Sequence, residues 1–234
     1  MTAVFKREMG AYFASPLGYV FIAIFYFFSG AFFYLFTLSS RTTDLTYVFI
    51  GMFFVMMIFI PVLTMRLLAD DKRQKTDQLI LTAPVSLMRV VLGKFLAAFA
   101  VFLIGVAIML VYGIALSCFT DVNWSMIFGN IFGMILMGSV YIAVGVFVSS
   151  LTENQMIAAI GAIGINLVLL LIDTLAAVIP WDAAQNVLGS LSFYNRYYEF
   201  TIGIFSLSNI LYFVSVIFIF LFLTVRVLEK RRWA

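Results

Sequence analysis

Residues 95–119 read FLAAFAVFLIGVAIMLVYGIALSCF, a run of 25 side chains without a single charge. A helix rises about 1.5 Å per residue, so this run is long enough to cross a hydrocarbon layer about 30 Å thick. The whole chain has the same character, because 65% of its 234 residues are hydrophobic and only 11% are charged. In a soluble domain about a quarter of the residues are charged. The sequence therefore predicts an all-α polytopic membrane protein.

Five other stretches share the length and the apolar character of residues 95–119. None of the six alternates apolar and polar residues with a period of two, which argues against a transmembrane barrel. The sequence therefore predicts a single transmembrane domain, residues 1–234, with six spanning helices. The predicted spans are Leu17–Leu38, Thr46–Met65, Phe95–Phe119, Met126–Ser150, Gln155–Ile179 and Asn209–Val227.

The basic residues are distributed unevenly between the two sides that six spans define. Of the 14 lysines and arginines, 12 lie before the first span, between the second and the third, or at the end of the sixth, whereas Arg41 and Arg196 lie opposite. Short loops rich in lysine and arginine tend to stay in the cytoplasm. We therefore predict that both termini and residues 66–94 are cytoplasmic.

Two segments outside the spans are predicted to lie at the membrane surface. In residues 1–15 the spacing of four apolar side chains predicts a short amphipathic interfacial helix, although a simple topological anchor is the alternative. These side chains are Phe5, Met9, Tyr12 and Phe13. Residues 180–208, on the outer side, hold seven aromatic side chains among polar ones. Aromatic rings favour the headgroup level, so this segment is predicted to form interfacial or re-entrant helices.

The cytoplasmic segment 66–94 is the one long charged stretch, and its pattern predicts a helix, a break, a short helix, a break and a third helix. Thr76 and Asp77 are suited to the start of the short helix, one as N-cap and one as an acid at the positive end of the dipole. Residues 79–81, Leu-Ile-Leu, form an apolar ridge that Pro84 ends. A short apolar helix held outside the membrane is suited to docking another protein, and a solvated loop is the alternative.

The composition excludes several kinds of chemistry. The chain has no histidine and a single cysteine, Cys118, so a triad based on imidazole, a CxxC site and an internal disulfide are excluded. No GxxxxGK[ST] motif is present, and therefore ATP has to be bound by another chain. We predict that this chain has no enzymatic activity and no cofactor of its own.

An enzymatic alternative rests on three acids of the cytoplasmic segment. Asp70, Asp71 and Asp77 resemble the aspartates that hold magnesium and a diphosphate in membrane prenyltransferases. However, Lys72, Arg73 and Lys75 lie among them, and the loop between the fourth and fifth spans offers only Glu153. The sequence thus lacks the second acidic cluster that such a site needs.

The spans hold few polar side chains. Asn166 and Asp173 lie two turns apart in the fifth span, and we predict that Asp173 reaches the interface rather than lining an ion path. Gly129 and Gly133 form a GxxxG pattern, with Gly138, Gly161 and Gly164 beyond it, which predicts close helix packing within the chain or across a dimer.

Three blocks of the sequence resemble the permease subunits of type-2 ABC exporters. In that family the cytoplasmic segment reads as an acid, three residues, Gly-Thr-Leu-Glu, a leucine run and Thr-x-Pro. Five positions of residues 71–85 match it: Thr76, Leu79, Leu81, Thr82 and Pro84. The other blocks are residues 149–155 and 212–233. The combination is most similar to the subgroup of gliding-motility-associated and nitrous-oxide-reductase-maturation permeases.

The resemblance implies the six-helix transmembrane fold of a type-2 ABC exporter in the bacterial plasma (inner) membrane. It implies two cytoplasmic ATPase subunits that carry ATP and magnesium, and a second permease subunit, identical or homologous. An accessory membrane or extracytoplasmic subunit is compatible with it, and a nucleic-acid partner is not expected. Residues 1–15 would be the connecting helix and 180–208 the outer re-entrant helices. The coupling residues would be Thr76, Asp77, Gln78, Leu79, Ile80, Leu81, Thr82 and Pro84.

The sequence departs from the family pattern at three positions. Lys75 stands where glycine is usual, Asp77 where leucine is usual and Gln78 where glutamate is usual. The loss of glycine predicts a more continuous stalk helix after the second span. Gln78 keeps hydrogen-bonding capacity but lacks a charge that could meet an arginine of the ATPase. A non-transporting membrane anchor or assembly subunit is the alternative function, and the substrate cannot be predicted.

Overall fold

The computed structural model describes residues 1–76, 78, 85–178 and 192–233, without the side chains of residues 173–178 and 233. This part of the chain contains helices and no strand, as the fold class predicted. We number its helices α1 (Thr2–Ala14), α2 (Pro16–Phe32, continued by a π-helical turn Phe33–Leu38), α3 (Thr46–Thr64), α4 (Arg66–Arg73), α5 (Leu87–Ser117), α6 (Trp124–Leu151), α7 (Gln155–Val178), α8 (Phe193–Thr201) and α9 (Leu207–Trp233).

Six of these helical segments are long and apolar enough to cross a membrane, which confirms the predicted number. They are α2 with its π-helical turn, α3 with α4, α5, α6, α7 and α9. Several helices extend beyond the spans expected from hydropathy: α5 begins at Leu87 and α9 continues to Trp233. Hydropathy marks the segment that lies in lipid, whereas a helix continues into water wherever its backbone hydrogen bonds continue.

Helix α6 forms the centre of the bundle. In its most apolar window of 18 residues, 83% of the residues are buried, compared with 22% in α2, α7 and α9. Glycines of α6 let neighbours approach closely: a Cβ added at Gly133 would lie 2.7 Å from Phe200 Cβ, and one at Gly138 would lie 2.3 Å from Phe102 Cζ. The predicted close packing thus occurs within one chain at these glycines, whereas Gly164 has no atom within 4 Å of such a Cβ.

A proline in α3 explains the buried asparagine of the fifth span. Pro61 has no N–H, and the carbonyl of Met57, four residues earlier, therefore lacks its partner within the helix. Asn166 of α7 is fully buried, and its Nδ2 lies 3.4 Å from this carbonyl. Asn166 therefore has a packing role between α3 and α7. The side chain of Asp173 lies outside the described residues.

Two helices outside the spans pack on opposite ends of the bundle. Helix α1 turns Glu8 and Tyr12 inward, so the helix predicted for residues 1–15 is present, and its position at a membrane surface stays a prediction. Helix α8 buries the Tyr197 ring, whose hydroxyl donates to the carbonyl of Phe49 at 3.1 Å. The predicted outer segment 180–208 is described only from residue 192 onward.

We use the term charged end for the end of the bundle that holds α1, α4, the start of α5, the α6–α7 turn and the end of α9. Ion pairs connect these elements, including Arg231 of α9 with Glu153 of the turn at 3.6 Å. The opposite end holds α8 and the turns before α3 and α6, where Arg196 Nη1 donates to Asn209 Oδ1 at 2.7 Å.

Candidate functional site

The ammonium group of Lys94 lies at the centre of a buried polar cluster at the charged end. Lys94 stands two turns into α5, and its side chain is 1% exposed. Its Nζ lies 2.7 Å from Glu8 Oε1 of α1 and 2.7 Å from Asp71 Oδ2 of α4, and it also donates to the carbonyl of Leu67. One cation therefore joins three helices.

Arg7 and Thr76 complete the surroundings of the two carboxylates. Arg7 Nη2 lies 2.8 Å from Glu8 Oε1 and 3.5 Å from Asp71 Oδ2, on the side that faces solvent. The hydroxyl of Thr76 lies 3.2 Å from both the carbonyl oxygen and Oδ1 of Asp71, and shares its proton between them. We call Lys94, Glu8, Asp71, Arg7 and Thr76 together the Lys94 cluster. Its two cations and two carboxylates balance, which buried charges require.

A second set of contacts connects α1 to the junction between α3 and α4. The hydroxyl of Tyr12 is fully buried and donates to the carbonyl of Leu63 at 2.9 Å. Arg66 stacks over the Tyr12 ring at 5.2 Å and donates to Ser15 Oγ at 2.8 Å. Burial, reinforced by the charge of Glu8, raises the pKa of Tyr12 well above its usual 10.0, so the hydroxyl stays a donor.

The end of α6 holds the start of α4 from the other side. Ser149 Oγ accepts from the backbone N–H groups of Leu68 and Ala69, each at 3.0 Å, and donates to the carbonyl of Met65 at 2.9 Å. It thereby acts as an N-cap supplied by a neighbouring helix. Lys72 of α4 donates to the carbonyl of Ser150. Helix α4 is thus fixed to α1, α5 and α6 at once.

Replacing Ser149 with alanine is expected to lower the free energy of unfolding by about 1–2 kcal/mol, because two buried N–H groups and a carbonyl lose their partner. Ser215→Ala is the matched control, since Ser215 is exposed and donates only to the carbonyl of Tyr212 in its own helix. Thermal unfolding of both variants in the same detergent measures the difference. Equal melting temperatures would contradict the capping role.

The stalk helix ends at the break that the pattern of segment 66–94 predicts, and does not continue as the loss of glycine predicted. Helix α4 stops at Arg73, and residues 74–76 form a turn in which Lys75 has a φ of 57°. This is the left-handed conformation that glycine adopts most easily. The expectation that lysine in place of glycine gives a more continuous stalk was therefore wrong. Lys75 adopts the glycine-like conformation, and the chain turns at the position where the family has its glycine.

The structure describes two of the predicted coupling residues and not the others. Thr76 belongs to the Lys94 cluster, and Gln78 is exposed and helical. The remaining positions lie outside the described residues: Asp77, Leu79, Ile80, Leu81, Thr82 and Pro84. The proposed cap of the short helix at Thr76 therefore stays a prediction.

The acids considered for magnesium have other partners. Asp71 pairs with Lys94, and Asp70 lies 3.5 Å from Arg73 Nη2 and accepts from the side chain of Gln155. Within the described ranges no group of three or more acidic, histidine or cysteine side chains is placed to hold a metal ion. Asp77 lies outside these ranges. The geometry of Asp70 and Asp71 favours ion pairing within the protein over a metal site.

Sequence reasoning did not identify the Lys94 cluster. The apolar pattern of residues 1–15 does not include Glu8, and Lys94 counts in the sequence only as one of the basic residues that predict the topology. One weak signal of the cluster is Gly93, the residue before Lys94. A Cβ at Gly93 would lie 3.0 Å from Val4 Cβ, so the glycine lets α1 approach α5 closely. The partners are 86 residues apart in the chain, so only the fold shows that they meet.

The Lys94 cluster is suited to transmitting a movement of the connection between α4 and α5 to the neighbouring helices. Residues 74–86 connect α4 to α5 along the chain, and the ion pair of Lys94 with Asp71 joins these two helices. Tight packing and paired charges favour a stiff connection between α4 and its neighbours α1, α5 and α6.

Comparison with known proteins gives one family. Residues 27–233 match the family model described as ABC-2 family transporter protein, which covers most of the chain. No curated protein matches the chain.

Proposed function

The chain belongs to the ABC-2 family of transporter proteins and is thus a multi-pass ABC permease subunit whose partner is an ABC ATPase, and we propose that it serves an exporter. In this proposal the ATPase docks on residues 76–84 and moves the spans through the Lys94 cluster. The observation that carries it is the burial of Lys94 between Glu8 of α1 and Asp71 of α4, whose carboxylate also lies 3.2 Å from the hydroxyl of Thr76, the first residue of that segment.

The stiffness of this base supports the proposal. If the docking segment stood on a flexible stalk, the stalk would bend and the movement of the ATPase would not reach the spans. Here α4 is held by Ser149 and by Lys94, and Gln155 at the start of α7 donates to Asp70. The movement of one segment therefore acts on four helices, α1, α5, α6 and α7, which meet at the charged end.

The charge distribution supports the orientation of the subunit. The Lys94 cluster and the basic end of α9 share the charged end, which we place in the cytoplasm of a bacterium. In the proposed assembly two such subunits, identical or homologous, pair in the plasma membrane. Each is served by one of two ATPases that bind ATP and magnesium. Export rather than import follows the type-2 exporter resemblance of the coupling segment.

Replacing Leu79 with aspartate tests the docking step, because a charge on the apolar ridge is expected to prevent the ATPase from binding. The tagged full-length chain is purified from its native host in mild detergent. Co-purified protein is then identified, and vanadate-sensitive ATP hydrolysis is measured. We expect a stoichiometric ATPase with the unaltered chain and at least a tenfold loss of bound ATPase with Leu79→Asp.

Leu207→Asp is the matched control. Leu207 is 70% exposed at the start of α9, at the end opposite the charged end, where an acid also suits the helix dipole. This variant is expected to keep the ATPase. If no ATPase co-purifies with the unaltered chain in several detergents, the coupling proposal is wrong, and a role as membrane anchor follows instead.

A further inference from the structure

A groove at the charged end lies between the first turn of α5 and the last turns of α9. It has a volume of about 300 Å³. Its apolar floor is formed by Leu87 and Val225, which are 5% and 9% exposed, together with the partly buried Met88. Its polar edge is formed by Ser86, Glu229 and Arg232. The groove is thus apolar inside and polar where it meets water.

The edge of the groove carries an excess of positive charge. Glu229 is matched within the protein, because its Oε2 lies 2.9 Å from Arg226 Nη1. Arg232 is exposed, and no described acidic side chain forms an ion pair with it. Lys230 of α9 and Arg89 in the first turn of α5 are also exposed and likewise lack an acidic partner among the described side chains. This edge is therefore suited to an anion.

The floor of the groove continues along an exposed apolar face of α9. Residues 218, 222, 225, 229 and 232 recur every three or four positions, so they share one face of the helix. Phe218 and Phe222 are 59% and 42% exposed, and their rings stack with centroids 6.3 Å apart. Both belong to the apolar part of a spanning helix. An acyl chain that begins in the groove therefore meets an apolar surface along the span.

We propose that this groove binds an anionic phospholipid, with the phosphate at Arg232 and the first part of an acyl chain over Leu87 and Val225. The cation that lacks an acid matches the phosphate, and the apolar floor matches the chain. A soluble anion would leave the floor exposed to water. A zwitterionic lipid would add a cation beside Arg232 and Lys230. The site does not depend on the coupling proposal.

Thermal unfolding of the full-length chain in nanodiscs tests the site. The discs contain phosphatidylcholine, of which a rising fraction is replaced by phosphatidylglycerol with the same acyl chains. We expect a saturable rise in melting temperature with phosphatidylglycerol, and a smaller rise at high salt. Glycerol phosphate, which has the charge but no acyl chain, is added to discs of pure phosphatidylcholine and is expected to give no rise.

Arg232→Gln is the decisive variant, since glutamine still donates hydrogen bonds but has no charge. It is expected to unfold at the same temperature as the unaltered chain in pure phosphatidylcholine, and to raise the half-saturating fraction of phosphatidylglycerol at least fivefold. Arg73→Gln is the matched control, because Arg73 is an arginine of the same end, 64% exposed, that lies outside the groove. This control is expected to respond to phosphatidylglycerol as the unaltered chain does.

Four results would overturn the proposal. The first two are no response to phosphatidylglycerol and an unchanged titration of Arg232→Gln. Equal losses in Arg232→Gln and Arg73→Gln would instead show a general effect of net charge. A rise with glycerol phosphate would show that the groove takes a soluble anion and that its apolar floor has no part in binding.

Discussion

Lys94→Met is expected to lower the free energy of unfolding by about 3–5 kcal/mol, because it removes the only described cation that touches both carboxylates from within the bundle. The side chains of Glu8 and Asp71 are 9% and 15% exposed, so neither can regain full hydration. Arg7 lies 2.8 Å from Glu8 but 3.5 Å from Asp71 and is half exposed, so it cannot take over both contacts. Unfolding of the detergent-solubilised chain, followed by circular dichroism, measures the loss.

A neutral version of the cluster separates the charge effect from the loss of packing. In the triple variant Glu8→Gln, Asp71→Asn, Lys94→Met no buried charge lacks a partner, and most of the lost stability is expected to return. Glu229→Gln is the control for an exposed pair, since Arg226 and Glu229 are 61% and 40% exposed, and a change below about 1 kcal/mol is expected. A triple variant as unstable as Lys94→Met would show that packing, not charge, governs this site.

The same triple variant also tests the transmission of movement. Its docking segment is unaltered, so it is expected to bind the ATPase as the unaltered chain does. Its helices α1, α4 and α5 are no longer joined by a buried cation, and transport per ATP hydrolysed in proteoliposomes is expected to fall at least tenfold. Normal transport by a stable triple variant would disprove the role of the Lys94 cluster in coupling.

The membrane-spanning part of the fold could be predicted from sequence because one property, a long apolar run, decides it. The run at residues 95–119 requires a helix in lipid whatever its neighbours are. Lys94 lies one residue before that run, and the same positive charge is equally compatible with an exposed loop position. Its burial depends on α1 and α4, and no local pattern contains that information. Lys75 is a similar case, because its left-handed conformation follows from how α4 ends and not from its own preference.

Gly145→Ala is expected to destabilise the chain by about 1–3 kcal/mol, and Gly145→Val by more, because α6 meets α3 at this glycine without room for a side chain. A Cβ at Gly145 would lie 2.0 Å from Thr64 Oγ1 and 2.8 Å from Thr64 Cβ. Thr64 is fully buried, and its hydroxyl is engaged with the carbonyls of Ile60 and Pro61. The contact can therefore be relieved only by separating the helices or by breaking these bonds.

Gly164→Ala is the matched control, a glycine-to-alanine change in another spanning helix where nothing lies within 4 Å of the added Cβ. It is expected to be neutral or to stabilise the chain by up to about 1 kcal/mol, since alanine favours the helix. Adding Thr64→Ala to Gly145→Ala removes the nearest atom but leaves the Thr64 Cβ position, so only part of the stability should return. Because Thr64 directly precedes the junction with α4, the crossing of α3 and α6 also sets the angle at which α4 reaches the Lys94 cluster. A Gly145→Ala chain that unfolds like Gly164→Ala would mean that α3 and α6 can separate freely, and the base of the coupling segment would then not be stiff.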